Sequence, residues 1–358
     1  MNYLIILFSI LLPLGCSNLG KICPKEECGT SLMCEIDSQT CQIQCAKDYD
    51  CGQGLACDQS ANVCFSPVIR KKVLQKKEEE KQAQIEIERK AKQVKRKIEW
   101  KNKQAKRKAE WKALNIIPVE IPGGSFMMGS NDFKSTKPEH SVQVGEFYLS
   151  KTEITVKQYR ACVKAGVCSE PDTYRHCNWN KPDREDHPIN CVSWYQARKF
   201  SLWVGGDLPT EAQWEYAARS AGKDRKYPWG NEKATCDHTV MKDGKNDTHY
   251  GCGKNRTWAV CSKVKGNTDQ GLCDMSGNTW EWVRDAWQDD YQNASTNGSN
   301  ICTTSKCKQS HSGVARGGSW YFGVEWYQRV TSRYQTSYSN RAGHLGFRVL
   351  LSSPDVGT

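Results

Sequence analysis

VSWYQARKFSLWVGGDLPTEAQWEYAAR, residues 192–219, carries two helix starts and the stop between them. Ser193 and Thr210 each precede a run of helix formers, with Gln196 and Gln213 three residues further on. A hydroxyl at the N-cap accepts from the third helical amide while the glutamine there reaches back to the cap amide, so both spacings read as capping boxes. Gly205-Gly206 stops the first helix, since glycine enters the left-handed backbone region without a Cβ penalty. Upstream, Thr155 with Gln158 gives the same signal, and Gly166 and Gly222 supply the remaining stops. Three short helices, roughly eight to eleven residues each, in a segment otherwise made of strand and turn patterns give an α+β domain with much irregular structure.

Working outward, Pro122-Gly123-Gly124 and Gly129 bracket an alternating strand at Phe126-Met127-Met128, and Val142, Val144, Phe147 and Tyr148 continue the strand pattern. The domain is read as residues 115–353, with a tail at 354–358. Before it, residues 67–114 hold no glycine and, after Pro67, no proline until the domain begins. From Arg70 to Lys112 there are 18 Lys and Arg against 7 Glu, a net +11 that equals the formal charge of the whole chain. The globular parts are therefore balanced, and the charge belongs to a helical spacer. A heptad-spaced stripe at Ile87, Ala91, Val94, Ile98 and Ala105 is interrupted by Lys101 and Lys108, so a solvated helix is favoured over a sustained coiled coil.

The 19 cysteines divide the chain further. One is Cys16, eight lie from Cys23 to Cys64 in two similar four-cysteine repeats, and ten lie from Cys162 to Cys307. Even groups of this kind are disulfide frameworks of an extracytoplasmic protein, and residues 16–66 are too poor in apolar side chains to fold without such staples. Leu4 to Leu12 is too short to span a bilayer and leads to Leu14-Gly15-Cys16, which resembles a bacterial lipoprotein signal over residues 1–15. Lipidation of Cys16 would account for the odd count and place the protein on the outer membrane or cell surface, held to the membrane by its anchor. Nucleic acid is not an expected partner in that compartment.

The strings VEIPGGSFMMGS (119–130), FYLSKTEITVKQY (147–159), the opening 192–219 stretch, YPWGN (227–231), GLCDMSGNTWEW (271–282), ARGGSW (315–320) and HLGFRVL (344–350) together resemble the sulfatase-modifying-factor family of formylglycine-generating enzymes. The resemblance covers 115–353 and implies a compact C-type-lectin-like fold. It also implies copper(I) held by two thiolates five positions apart, the first lying three residues after the serine of the RGGS string. Here that serine is Ser319, so the thiol positions are Phe322 and Tyr327, and no cysteine follows Cys307. Copper(I) requires soft sulfur ligands, so copper and formylglycine formation are not expected, and no catalytic residue is assigned. An oxidoreductase using an atypical metal is the alternative. Some relatives are nonheme iron enzymes with closely spaced histidines, but the seven histidines here form no close cluster in sequence.

Calcium is the cofactor the resemblance does support, through the carboxylates of Asp274 and Glu281 and the carbonyls of Gly277 and Thr279; a capped turn with a surface ion pair is the competing reading. Around the missing thiols, seven aromatics fall between Trp320 and His344, interleaved with arginines. Large rigid rings with guanidinium groups are the composition of a binding surface. The face is assigned to Ser319, Tyr321, Phe322, Trp326, Tyr327, Arg329, Arg333, Tyr334 and Tyr338, with Trp320 given to the core. Its expected ligand is a peptide, a glycan or a cell-wall component, and the chain reads as a pseudoenzyme that acts as a binding or scaffold module.

Overall fold

The structure, a computed structural model, describes residues 43–44, 56–58, 63–65, 67–244, 249–292, 294–297, 311–323 and 325–351. The signal segment, Cys16, most of the cysteine repeats, Cys302, Cys307 and the 354–358 tail lie outside the described residues. The chain divides into two compact units, Met1–Arg96 and Lys97–Thr358. The first contains a small antiparallel sheet of β1 (Ile43–Gln44), β2 (Ala56–Asp58) and β3 (Val63–Phe65), in the order β1-β3-β2.

Pro67–Ala113 forms one 47-residue helix, α1, as its composition dictates. Ile87, Val94 and Ile98 of the heptad stripe are exposed. Its end is different. Trp111 is buried, donates its indole N–H to the carbonyl of Val204 at 2.8 Å and joins the domain core with Ile116. A domain start at 115 is therefore too late, because the last helical turn packs into the domain. Among the described residues no helix is long and apolar enough to cross a membrane.

The second unit follows the local signals closely. Helices α2 (Val156–Lys164), α3 (Trp194–Trp203) and α4 (Glu211–Ala218) each start with a complete capping box, at Thr155/Gln158, Ser193/Gln196 and Thr210/Gln213. Strands β4 (Pro118–Ile121), β5 (Gly124–Met128), β6 (His140–Val144) and β7 (Phe147–Ser150) precede them. After them come β8 (Trp280–Ala286), β9 (Ser312–Arg316), β10 (Arg333–Ser337), β11 (Leu345–Gly346) and β12 (Leu350–Leu351). A four-stranded sheet runs β10-β9-β8-β11, with β11 parallel to β8; β12-β7-β4 and β5-β6 form two smaller antiparallel sheets.

Strand β8 divides the interior by its period of two. Trp280 and Trp282 face one core with Tyr159, Phe200 and Phe347, while Val283 enters a second core with Phe126, Trp214 and Val314. Among the described residues four disulfides fix the loops: Cys162–Cys168, Cys177–Cys191, Cys236–Cys252 and Cys261–Cys273. They are the mark of an extracytoplasmic protein.

Candidate functional site

The site is built where the turn before β8 meets the turn after β9. Gly277 accepts no side chain, since a Cβ would collide with Thr239 Oγ1, and its amide donates to the carbonyl of Gly317 at 2.7 Å. Trp320 N–H donates to the carbonyl of Asn278 at 3.0 Å. Gly318 has φ +76°, and a Cβ there would lie 2.6 Å from the carbonyl oxygen of Tyr327. The glycines of ARGGSW thus let the chain fold back against both the 277–278 turn and the 325–328 helical turn.

Arg316 of the same string is structural. Fully buried, it donates to Glu215 and to the carbonyls of Val330 (2.8 Å) and Thr331 (3.0 Å), and lies 3.4 Å from Glu211. Burial alone would raise Glu215, yet Arg219 and Arg316 beside it hold it below the usual carboxylate value. Arg333 belongs to this network, against its assignment to the binding face. Its guanidinium holds both oxygens of Glu211, at 2.7 and 3.1 Å, and donates to the carbonyls of Ser135 and Gln288. The alternation of β10 turns it inward.

Phe322 and Tyr327, the positions to which the family resemblance assigns thiols, pack ring to ring at 4.7 Å. Trp280 meets them edge-on at 5.9 and 6.2 Å and stacks on Tyr334 at 5.3 Å; His344 closes the cluster against Phe322 at 5.4 Å. These rings lie against the core, so Phe322, Tyr327 and Tyr334 are half-buried packing residues. Ser319 is completely buried beneath them and cannot belong to an exposed face. Trp326 packs on Phe133, and Arg329 is paired with Asp132 at 2.6 Å.

The exposed aromatics are elsewhere. Tyr321 is 43% exposed and stacks on Tyr250 at 4.6 Å, while Tyr174 and Tyr195 are 46% and 60% exposed. All flank the loop 338–344, which is tied down from several elements. Tyr174 Oη donates to the carbonyl of Arg341 (2.8 Å), Asn190 and Trp320 donate to that of Gly343 (2.6 and 2.9 Å), and Trp194 N–H donates to that of Tyr338 (3.0 Å). Tyr338 packs against Trp194 at 5.1 Å and Tyr195 at 6.1 Å. Of the expected face, Tyr321 and Tyr338 remain on this tyrosine ridge. Tyr174, Tyr195 and Tyr250 join them from segments 70–160 residues away in sequence and carry no local signal.

The expected calcium residues lie in a buried acidic cluster. Glu281 is fully buried, and both its oxygens are held by Arg348 (2.6 and 2.7 Å); Trp214 also donates to it at 2.7 Å. Its ion pair is therefore in the core, where a surface pair had been the alternative. Asp274 accepts from the amide of Cys261 at 2.6 Å, and Glu153 accepts from Asn278 and Thr279. Burial first, and then Asp274 and Glu281, push Glu153 well above the usual carboxylate range; burial likewise pushes Asp274 up to about 6. Three carboxylates thus share one guanidinium. Among the described residues, no three His, Cys, Asp or Glu side chains converge on a single metal position.

Residues 103–353 match the family model for the sulfatase-modifying factor enzyme 1-like domain, 70% of the chain. The chain belongs to the sulfatase-modifying factor family. Over 64% of its length it is 27% identical to 91% of the formylglycine-generating enzyme of Thermomonospora curvata. Over the same share it is 30% identical to 86% of a Bos taurus protein named inactive C-alpha-formylglycine-generating enzyme 2. The fold is similar to that of Pseudomonas aeruginosa PvdO, with a TM-score of 0.55 and 28% identity over 65% of this chain and 93% of that one. The expected C-type-lectin-like fold of the family is thereby established.

His344 sets a pH dependence. Burial first, then neighbouring His176, lower its pKa to about 4, and Tyr321, Tyr334 and Phe322 complete its surroundings. The folded state therefore resists protonating a group that titrates near 6.5 when unfolded. Its contribution to stability is present above about pH 6.5 and is lost as pH falls toward 4. The substitution His344→Phe, which keeps a ring, should make the melting temperature less sensitive to acidification from pH 6.5 to 4 than that of the parent. An unchanged slope in thermal melts would refute this.

Proposed function

We propose that this chain is a bacterial cell-envelope lipoprotein, anchored through Cys16, whose sulfatase-modifying-factor-like domain binds a peptide, glycan or cell-wall ligand and does not make formylglycine. The observation that carries the reading is the exchange at the thiol positions: two packed rings, Phe322 and Tyr327, fill the place, and rigid tyrosines gather on the neighbouring surface. A thiolate pair is what copper(I) chemistry needs, and rings cannot supply it. A relative named as an inactive formylglycine-generating enzyme supports this reading. Four disulfides and the lipoprotein-like leader agree with an envelope location.

Calcium is the cofactor this reading includes. A divalent cation beside Glu153, Asp274 and Glu281 would favour the ionised forms of Glu153 and Asp274, which burial pushes toward protonation despite Arg348. Because Glu281 is engaged by Arg348, the ion would rest chiefly on Asp274 and the carbonyls of Gly277 and Thr279, as a structural element.

The binding reading is tested by presenting the full chain to an array of peptides, glycans and cell-wall polymers. The parent should be retained on one class, and Tyr195→Ala combined with Tyr321→Ala should reduce retention at least tenfold, the loss expected of rigid aromatic anchors. Equal retention by the double variant would move the site away from the ridge.

A further inference from the structure

We propose that residues 89–112 of α1 lie along an anionic lipid surface. This goes beyond the binding reading above and does not depend on it. The first support is charge. Residues 89–112 hold 12 Lys and Arg against 2 Glu, a net +10, so nearly all of the chain's +11 sits in 24 residues. Neutralisation along the helix is slight: Lys90 lies 3.6 Å from Glu86, whereas Lys95, Lys101 and Lys106 are exposed and make no ion pair among the described residues. An anionic surface favours such a segment by about fivefold in partition for each basic side chain brought close to it.

The second support is direction. Trp100, Gln104, Arg107 and Trp111 follow one another at steps of four, three and four residues, which is one face of a helix. That face meets the domain. Trp111 and Gln104 are buried, and Arg107 lies so close to Gly205 that a Cβ there would collide with its guanidinium. Ile98 stands two residues before Trp100, about 200° around the helix, and is 53% exposed. Val94 and Ile87, four and eleven residues earlier, share its face and are exposed too. Ala105 continues the line, and Lys95, Lys101 and Lys106 flank it, all of them exposed. The face turned away from the domain is therefore an aliphatic line, uncovered by any described residue and bordered by lysines.

This combination decides the occupant. A soluble polyanion needs only the charge and gains nothing from Ile98 or Val94. A second copy of the helix would set +10 against +10 and place Lys101 and Lys108 in the seam. A lipid surface uses both features: lysine stems run along it with their ammonium groups at the phosphates, while the aliphatic line enters the boundary between headgroups and acyl chains.

The experiment uses the full chain carrying Cys16→Ser, so that no acyl anchor contributes. It is sedimented with phosphatidylcholine vesicles, with vesicles of phosphatidylcholine and phosphatidylglycerol, and titrated with soluble polyphosphate. Binding to the anionic vesicles is expected, falling as salt is raised. Lys95→Gln, Lys101→Gln and Lys106→Gln together should weaken it at least tenfold. Val94→Ala with Ile98→Ala, which keeps every charge, should weaken it by about threefold or more. Glutamine and alanine are good helix formers at these exposed positions, and a circular-dichroism melt of each variant confirms folding. Equal binding to neutral vesicles, or none to either kind, would overturn the proposal. So would vesicle binding untouched by the aliphatic pair, or equal affinity for polyphosphate, because charge alone would then be at work. Dimers that form without vesicles and are lost with the aliphatic pair would make a second copy the occupant and overturn it as well.

Discussion

Arg316→Met is expected to cost about 3–5 kcal/mol of folding stability, far more than the loss of a surface ion pair, which is about 0–1 kcal/mol. The reason is location. Arg316 and its partners Glu215 and Glu211 are all fully buried, and Arg333 and Arg219 complete the balance of charge around the two glutamates. Removing Arg316 takes one of the two guanidinium groups off Glu215 and leaves the buried carbonyls of Val330 and Thr331 without their donor, although Arg219 still neutralises Glu215 and Arg333 still neutralises Glu211. Arg316→Lys, which keeps the charge without the fork of donors, should recover part of the loss. Denaturant unfolding followed by tryptophan fluorescence measures both; a cost below about 1 kcal/mol for the single variant would show that the network is not needed to hold the site together.

Tyr327→Ala is expected to cost about 2–4 kcal/mol, as a ring removed from a packed cluster does. Tyr195→Ala, at an exposed ring, should stay within about 0.5 kcal/mol. The composition of the 320–344 stretch suggests the opposite for Tyr327, as a contact residue that can be trimmed freely. Its contacts with Phe322 and Trp280 make it part of the interior instead. Melting temperatures of the two variants settle the assignment: a stable Tyr327→Ala would return that residue to the binding face.

The helices were legible because their signals are local. A capping box needs only four consecutive residues, and all three occur where Thr155, Ser193 and Thr210 place them. The identities of Phe322 and Tyr327, at the spacing from Ser319 that the family resemblance gives to thiols, are read directly from the chain. What sequence could not show was direction. Arg333 lies among aromatics in the chain but faces Glu211, 122 residues away. Glu281, expected to be available to a cation, is claimed by Arg348 from a different strand region. Tyr174 and Tyr195 reach the 338–344 loop only through the tertiary fold, so composition within one stretch does not tell which aromatics share a surface and which, such as Phe322 and Tyr327, pack inward. Trp111 shows the same limit at the domain edge: one indole hydrogen bond to Val204 takes the end of a charged helix into the core.

The metal content of the purified, oxidised full-length chain tests the central claim most directly. Calcium without stoichiometric copper or iron is the expected result, since rings stand where the family resemblance places thiols and the buried carboxyl groups of the acidic cluster offer hard oxygen ligands. One copper or one iron per chain would contradict the account and restore an oxidoreductase reading of this domain.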